Sequence, residues 1–248
     1  MNLYAKITTA LLGGALLLTA GCSTYPHRAV DPNNKLETTS APAAKILGTK
    51  WGEDINSSVH NVSASRLTES PYDTVTIHYR GERIPSSVYT QSYIPLLPIE
   101  VKVIGENGQP MPIYRDRQGK YILSANEGMR YAIHIANNDK TKSFEVITTV
   151  DGLDVLNGQA GSYQNSGYLV RPGKQLEIEG FRKNNTQVAA FRFAAPEASY
   201  VNQNMQGEER NIGVIGVAIF EVREELPNCE ANPFPADNSY APAPCRKH

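Results

Sequence analysis

Hydrophobic and polar positions divide the chain into regions with different patterns. An apolar run at residues 10–18 is followed, at residues 23–47, by a segment rich in Pro, Asn, Thr, Ser and Ala that has neither a helical nor an alternating period. From residue 73 to residue 222, apolar residues recur at alternate positions in short runs separated by turn sequences. This last pattern is typical of a folded β-rich body.

The alternating region predicts about ten short strands, with turns about every 8 to 12 residues. Ile99, Val101 and Val103, for example, fall on one face of a predicted strand. The run at residues 212–222 is apolar at nearly every position, as expected of a central strand covered on both sides. The pattern therefore predicts an all-β fold: an antiparallel β-sandwich, jelly-roll or Ig-like, with irregular N- and C-terminal extensions.

Residues 48–73 leave two interpretations open. Ile55, Val59 and Val62 have the spacing of a short amphipathic helix, whereas the alternation at residues 59–63 is equally typical of a strand.

The N-terminal residues have the three parts of a secretory signal peptide: the positive charge of Lys6, an apolar core, and small residues before a cysteine. The core is shorter than the roughly 20 apolar residues that a membrane-spanning helix needs. The sequence Leu18-Thr19-Ala20-Gly21-Cys22 resembles the lipobox of bacterial lipoproteins. The resemblance implies that Cys22 is lipidated and becomes the mature N-terminus. Ser23 stands where an aspartate would favour inner-membrane retention, so the resemblance implies an outer-membrane location, with the body facing the periplasm.

These patterns predict four segments. They are a signal peptide at residues 1–21, a lipidated cysteine and flexible tether at 22–47, a β-sandwich domain at 48–224, and a Pro-rich tail at 225–248. A tether of this length has a root-mean-square reach of roughly 25–30 Å.

Composition excludes one class of partner. The net charge is −1, from 24 basic and 25 acidic residues, so the chain has no electrostatic footprint for nucleic acid. Thirteen tyrosines, against one tryptophan and six phenylalanines, suit sheet faces and wet interfaces. No cofactor is expected.

Two cysteines remain besides Cys22. Cys229 and Cys245 both lie in the tail, and in an oxidising periplasm we expect them to form a disulfide. Free or metal-binding thiols are the alternative, which the lack of a CxxC motif disfavours.

Several sequence stretches are similar to a set of uncharacterised bacterial proteins. They are VDGLDVLNG (150–158), GYLVRPG (167–173), GFRK (180–183), AAFRF (189–193) and GVIGVAIFE (213–221). The similarity implies one body over about residues 99–222 and carries no activity.

No local motif predicts catalysis. Neither GxSxG nor SxxK frames a serine of the body, and Ser162 and Ser166 lie in a Gly-rich loop typical of a turn. The histidines have no metal-ligand spacing, and His78 and His134 fall on the polar faces of predicted strands.

Asp151, Asp154 and Asn157 could form a calcium loop, but they lack the EF-hand pattern. Asp151-Gly152 and Asn157-Gly158 are more typical of turns. No metal site is therefore predicted.

Four basic residues lie near tyrosines in the sequence: Arg171, Arg182, Lys183 and Arg192. Such a combination could bind acidic glycans. The alternative is that these charges lie on the outward faces of strands and only keep the sheet soluble.

The long loop at 195–211 is the best candidate for recognition, because a compact domain seldom retains an irregular loop of that length without a use for it. Its candidate partner-binding residues are Tyr200, Asn202, Gln203 and Asn204.

Together these observations predict an outer-membrane lipoprotein that acts as a non-catalytic structural or accessory subunit of a cell-envelope assembly. Its expected partners are the membrane, through the lipid, and an envelope protein. A glycan- or peptidoglycan-binding module is the first alternative. An envelope hydrolase is the second, because catalytic groups can converge from distant strands.

Overall fold

Alternating burial along the strands builds two packed β-sheets. The computed structural model describes residues 44–204 and 209–225. Sheet 1 contains β1 (Lys45–Ile46), β3 (Ala64–Arg66), β4 (Asp73–Gly81), β5 (Thr90–Gln91), β8 (Ile113–Arg115), β9 (Tyr121–Ser124), β11 (Ser143–Val150), β12 (Leu153–Asp154), β13 (Tyr168–Val170) and β17 (Val214–Glu224). Sheet 2 contains β2 (Gly48–Asn56), β6 (Ile94–Leu96), β7 (Ile99–Gly105), β10 (Arg130–Asn137), β14 (Gln175–Ile178), β15 (Gly180–Arg182) and β16 (Gln187–Ala194).

The strand order confirms the predicted all-β sandwich. Sheet 1 runs β12-β11-β17-β4-β9-β8-β5, with β1 on β4, β13 on β11 and β3 on β17. Sheet 2 runs β15-β16-β10-β7-β6, with β14 on β10 and β2 on β16. The pairing of β4 with β9 is parallel, whereas the other strand pairs are antiparallel.

The core lies between the sheets. Ile99, Val101 and Val103 of β7 are fully buried on one face, as their alternation predicts. Aromatic rings meet at the centre: Tyr131 of β10 stacks on Phe193 of β16 with ring centroids 4.2 Å apart. Burying such a side chain contributes about 2–3 kcal/mol.

Strand β17 is central, as predicted from its apolar run. It pairs with β11 on one side and with β4 and β3 on the other. Ile215, Val217 and Ile219 point into the core, while Phe220 is buried on the opposite face. The β-branched and aromatic residues of this strand therefore have packing partners on both faces.

The body begins earlier than the predicted boundary at residue 48. Lys45 and Ile46 pair with β4, and Leu47 is fully buried. The predicted tether therefore ends before Lys45, because its last apolar residue belongs to the core.

The ambiguous stretch at 48–73 contains strands rather than a helix. Strand β2 is longer than either interpretation predicts, and residues 57–63 form no regular element. Pairing with β16 decides the outcome, since a nine-residue edge strand gains partners that an isolated helical turn lacks.

Several predicted features lie outside the described residues: the signal peptide, Cys22, the tether up to residue 43, and the Cys229–Cys245 disulfide with the tail from residue 226. Within residues 44–204 and 209–225, no helix is long and apolar enough to cross a bilayer.

Candidate functional site

The predicted recognition loop starts with two short helical turns. A 3-10 helix, Pro196–Ala198, leads into the one-turn helix α1 (Tyr200–Gln203). The carboxamide nitrogen of Asn202 donates to the carbonyl of Pro196 at 2.7 Å, and that of Asn204 donates to the carbonyl of Gly158 at 3.0 Å. These two amides therefore fix the segment to itself and to the body.

Trp51 of β2 packs against α1. Its ring lies 4.8 Å from the ring of Tyr200 and 6.3 Å from that of Phe181, the second pair being nearly parallel. Phe181 is buried, whereas Trp51 is 37% exposed. The three rings form a stack that starts in the core and ends at the surface.

We call Trp51, Tyr200, Asn202 and Gln203 the α1 surface. Asn202 and Gln203 are exposed, and Tyr200 is half-buried. The fourth predicted residue, Asn204, is also half-buried, and we leave it out of the α1 surface because its carboxamide bonds the backbone of Gly158. Sequence reasoning missed Trp51, because only the sheet brings it next to α1.

The predicted cationic residues contact groups of the protein itself. Lys183 pairs with Asp54 at 2.7 Å, Arg192 with Glu53 at 2.8 Å, and Arg171 with Glu224 at 2.7 Å. The hydrogen bond from Arg192 lowers the pKa of Glu53.

Arg182 donates to the Tyr168 hydroxyl at 3.2 Å and to the backbone carbonyl of Ser57. The four cations thus connect strands and loops, which favours the interpretation that they stabilise the sheet.

A buried polar network surrounds Asp151, which follows β11 with a φ of 52°. Its Oδ1 accepts from the Tyr79 hydroxyl at 2.5 Å and from the backbone N–H of Gly213 at 2.8 Å. Its Oδ2 accepts from the backbone N–H of Thr49 at 2.7 Å, and the Thr49 hydroxyl bonds those of Tyr79 and Tyr131. Burial raises the pKa of Asp151 to about 6, although these hydrogen bonds oppose the rise.

A sequence signal for this network exists. Tyr79 and Tyr131 occupy the inward positions of alternating strands, next to Ile77 and Ile133. A buried tyrosine hydroxyl needs a hydrogen-bond partner, so two inward tyrosines predict a buried polar group between them. The signal does not reveal that the partner is Asp151.

Asp154 organises the next turn. Its Oδ1 accepts from the backbone N–H of Leu156 at 2.8 Å, and its Oδ2 accepts from the Asn165 carboxamide at 2.9 Å. Burial raises the pKa of the Asp154 carboxyl. Asp151 and Asn157 therefore lie in turns, as predicted, whereas Asp154 ends the short strand β12. The carboxyls of Asp151 and Asp154 also make buried contacts.

The described residues contain no group of three or more His, Cys, Asp or Glu side chains placed to hold a metal ion. His78 and His134 are half-buried on their strands, and burial is the main reason that the pKa of each is lowered.

A groove opens on the outward face of sheet 1, and Ser162 is among the residues that line it. The described part of its lining includes no histidine, cysteine or carboxylate. Among the described residues, the lining therefore offers Ser162 no neighbouring base of the kind that activates a nucleophile.

Comparisons with protein-family models, with curated proteins and with solved structures find no match for this chain. The similarity to bacterial lipoproteins thus stays a prediction from the N-terminal residues.

Proposed function

We propose that this protein is a lipid-anchored, non-catalytic accessory subunit of a cell-envelope assembly in the outer membrane, and that the α1 surface contacts its protein partner. The lipobox-like sequence ending at Cys22 supports the anchor. A cysteine with several acyl chains exceeds the two signals that stable membrane anchoring requires.

The observation that carries the binding role is the exposed end of the aromatic stack. Trp51 and Tyr200 lie side by side at the surface, and the buried Phe181 supports both rings from below. Tryptophan and tyrosine are enriched among the residues that dominate protein interfaces. Because the stack fixes the rings before binding, a partner would gain their contact area at little cost in side-chain entropy.

The anchor is tested by mass spectrometry of the N-terminal peptide from the membrane fraction. We expect a diacylglyceryl-modified and acylated Cys22, and we expect Cys22→Ser to leave the protein uncleaved and unmodified. An N-terminus that carries no lipid would disprove the anchor.

The α1 surface is tested by placing a photocrosslinking amino acid at Gln203 in cells, followed by purification and mass spectrometry. Gln118, an exposed residue in the turn before β9, is the matched control position. We expect one envelope protein to crosslink from position 203 and not from position 118, and Tyr200→Ala to weaken that crosslink. Recovery of the protein without a crosslinked neighbour would contradict the proposal.

A further inference from the structure

The groove on the outward face of sheet 1 has a volume of about 530 Å³. That volume lies within the range of small-molecule sites. Three adjacent strands, β4, β17 and β11, form its floor. None of the residues of the α1 surface lines it, so a ligand role for the groove does not rest on the proposed function.

Register places an array of hydroxyl groups on this floor. Thr76 of β4 lies opposite Gly216 of β17, and Gly216 lies opposite Thr149 of β11. Thr74 lies two residues before Thr76, on the same face. The hydroxyls are therefore spaced about 7 Å along a strand and about 10 Å across the sheet.

Gly216 leaves the centre of the floor without a side chain. A Cβ built on Gly216 would lie 2.6 Å from Oγ1 of Thr149, so no larger residue fits there without moving that threonine. The floor between the two outer threonines is therefore backbone, and a flat ligand can approach it closely.

The described residues of the lining are uncharged. Thr74, Thr76, Thr149 and Ser162 contribute hydroxyls and Asn211 a carboxamide, and the described lining has no acidic or basic residue. A hydroxyl both donates and accepts hydrogen bonds. Such a lining suits a neutral ligand that itself presents many hydroxyls, and it gives a charged ligand no counter-ion.

Tyr163 supplies an aromatic ring at the groove. It lines the groove, it is 51% exposed, and its ring meets that of Phe220 edge-on at 6.1 Å. A half-exposed ring that packs against a neighbouring ring presents apolar surface, against which the C–H face of a pyranose can pack.

The loop that carries Tyr163 is held from two sides. Arg66 donates to the backbone carbonyl of Tyr163, and to that of Asn165 at 2.6 Å, while its Nε pairs with Glu145 at 2.6 Å. Glu145 in turn accepts from the backbone N–H of Gly167 at 2.7 Å.

From the other side, the Asn165 carboxamide donates to the buried Asp154 at 2.9 Å. The loop is therefore ordered before any ligand arrives, which lowers the entropic cost of binding.

We infer that this groove, with Tyr163 as its stacking platform and Thr74, Thr76 and Thr149 as its hydrogen-bonding floor, binds a neutral oligosaccharide. Backbone groups in the interior of a sheet already bond their neighbouring strands, so the floor can add no peptide strand. A glycan can instead be bound by the side-chain hydroxyls that project from the face of the sheet.

The test is isothermal titration of the full mature protein, kept in a detergent without a sugar headgroup. The probes are maltotetraose, cellotetraose and the tetramer of N-acetylglucosamine. We expect at least one to bind with a dissociation constant below about 10 mM, in the range of weak specific binding. We expect Tyr163→Ala to lower that affinity about tenfold, through lost ring contact.

Two further variants sharpen the result. Thr76→Val keeps the shape and β-branching of the side chain and removes only the hydroxyl, so we expect an affinity loss of about fivefold. Tyr89→Ala removes a tyrosine that is 84% exposed and does not line the groove, so we expect unchanged affinity.

Three outcomes would overturn the inference. They are no binding of any probe at about 10 mM, equal binding by Tyr163→Ala and the wild type, and an equal loss on Tyr89→Ala. Because none of these variants alters the α1 surface, the outcome is independent of the crosslinking result.

Discussion

The backbone N–H of Thr49, in sheet 2, donates a 2.7 Å hydrogen bond to Oδ2 of Asp151, at the end of β11 in sheet 1. The other carboxylate oxygen binds Tyr79 and Gly213, both on the side of sheet 1. One buried carboxyl therefore joins the two sheets at a point where the core would otherwise contain unpaired polar groups.

The first prediction concerns pH. The pKa of Asp151 is raised from 3.8 to about 6 in the folded protein, chiefly by burial, so the folded state binds this proton more tightly than the unfolded chain does. The contribution of Asp151 to the free energy of unfolding must then fall as the pH rises from about 4 to about 6, by about 3 kcal/mol.

Asp151→Asn isolates that contribution. An amide has one acceptor oxygen, so it leaves a backbone N–H facing an NH₂ group, and we expect the variant to be less stable than the wild type near pH 4. The difference in the free energy of unfolding between the wild type and the variant should shrink by about 3 kcal/mol toward pH 7, because the wild type loses the stability of its protonated form. Urea unfolding at several pH values measures the difference.

Asp139→Asn is the control for the pH experiment. Backbone hydrogen bonds from Thr141 and Lys142 lower the pKa of Asp139, so its stabilising contribution is lost as the pH falls and the trend has the opposite sign. A deficit of Asp151→Asn that stays constant from pH 4 to pH 7 would refute the prediction.

The second prediction tests where the body begins. Leu47 is fully buried, so Leu47→Ala should lower the free energy of unfolding by about 3 kcal/mol through lost transfer energy and a cavity. Ile46 is 65% exposed, and Ile46→Ala should cost less than about 0.5 kcal/mol. Denaturant unfolding of both variants decides it, and equal effects would place Leu47 outside the core.

The third prediction compares two glycines. A Cβ on Gly180 would lie 1.9 Å from the carbonyl oxygen of Ala189, so Gly180→Ala must separate β15 from β16. We expect a loss of about 3 kcal/mol, at the upper end for overpacking.

Gly119 is the matched control, because it has a φ of 80° and open space around it. Gly119→Ala meets only backbone strain, at a cost of about 1 kcal/mol. The two melting temperatures provide the comparison, and an equal or larger loss for Gly119→Ala would contradict it.

The fourth prediction concerns the support beneath Tyr163. Arg66 and Glu145 are mostly buried, with side chains 22% and 17% exposed. Arg66→Met keeps the apolar stem but removes the bonds to Glu145 and to the loop, so we expect a loss of about 2 kcal/mol. Amide hydrogen exchange should accelerate at residues 163–167 more than in β7.

Arg171→Met removes a more exposed ion pair, Arg171–Glu224, and should change stability by less than about 0.5 kcal/mol. If the two arginine variants were equally stable, or if exchange at residues 163–167 did not change, Arg66 would not be the support that its contacts indicate.

The local period of the sequence was enough for the fold class and for the longer alternating strands, although it predicted about ten strands and the described residues form seventeen. Ile99, Val101 and Val103 occupy the buried face that their alternation predicts, and β17 is the central strand that its apolar run predicts. Burial on one face imposes a period of two on a strand, so this information is local and can be seen in the chain itself.

The sequence also pointed to Tyr200, Asn202 and Gln203 as candidate partner-binding residues and to Asp151 as a turn residue. It did not place Trp51 beside Tyr200, Thr49 beside Asp151, or Thr76 in line with Gly216 and Thr149. Nor did it predict that β4 and β9 would pair in parallel.

These juxtapositions join residues far apart in the chain, and they depend on which strands pair and in which register. Strand pairing is set by the packing of the whole core, since a shift of one residue would turn every side chain of a strand to the other face. The sequence by itself therefore determined the fold class and the buried faces of the alternating strands, while only the tertiary structure decided which surface residues meet.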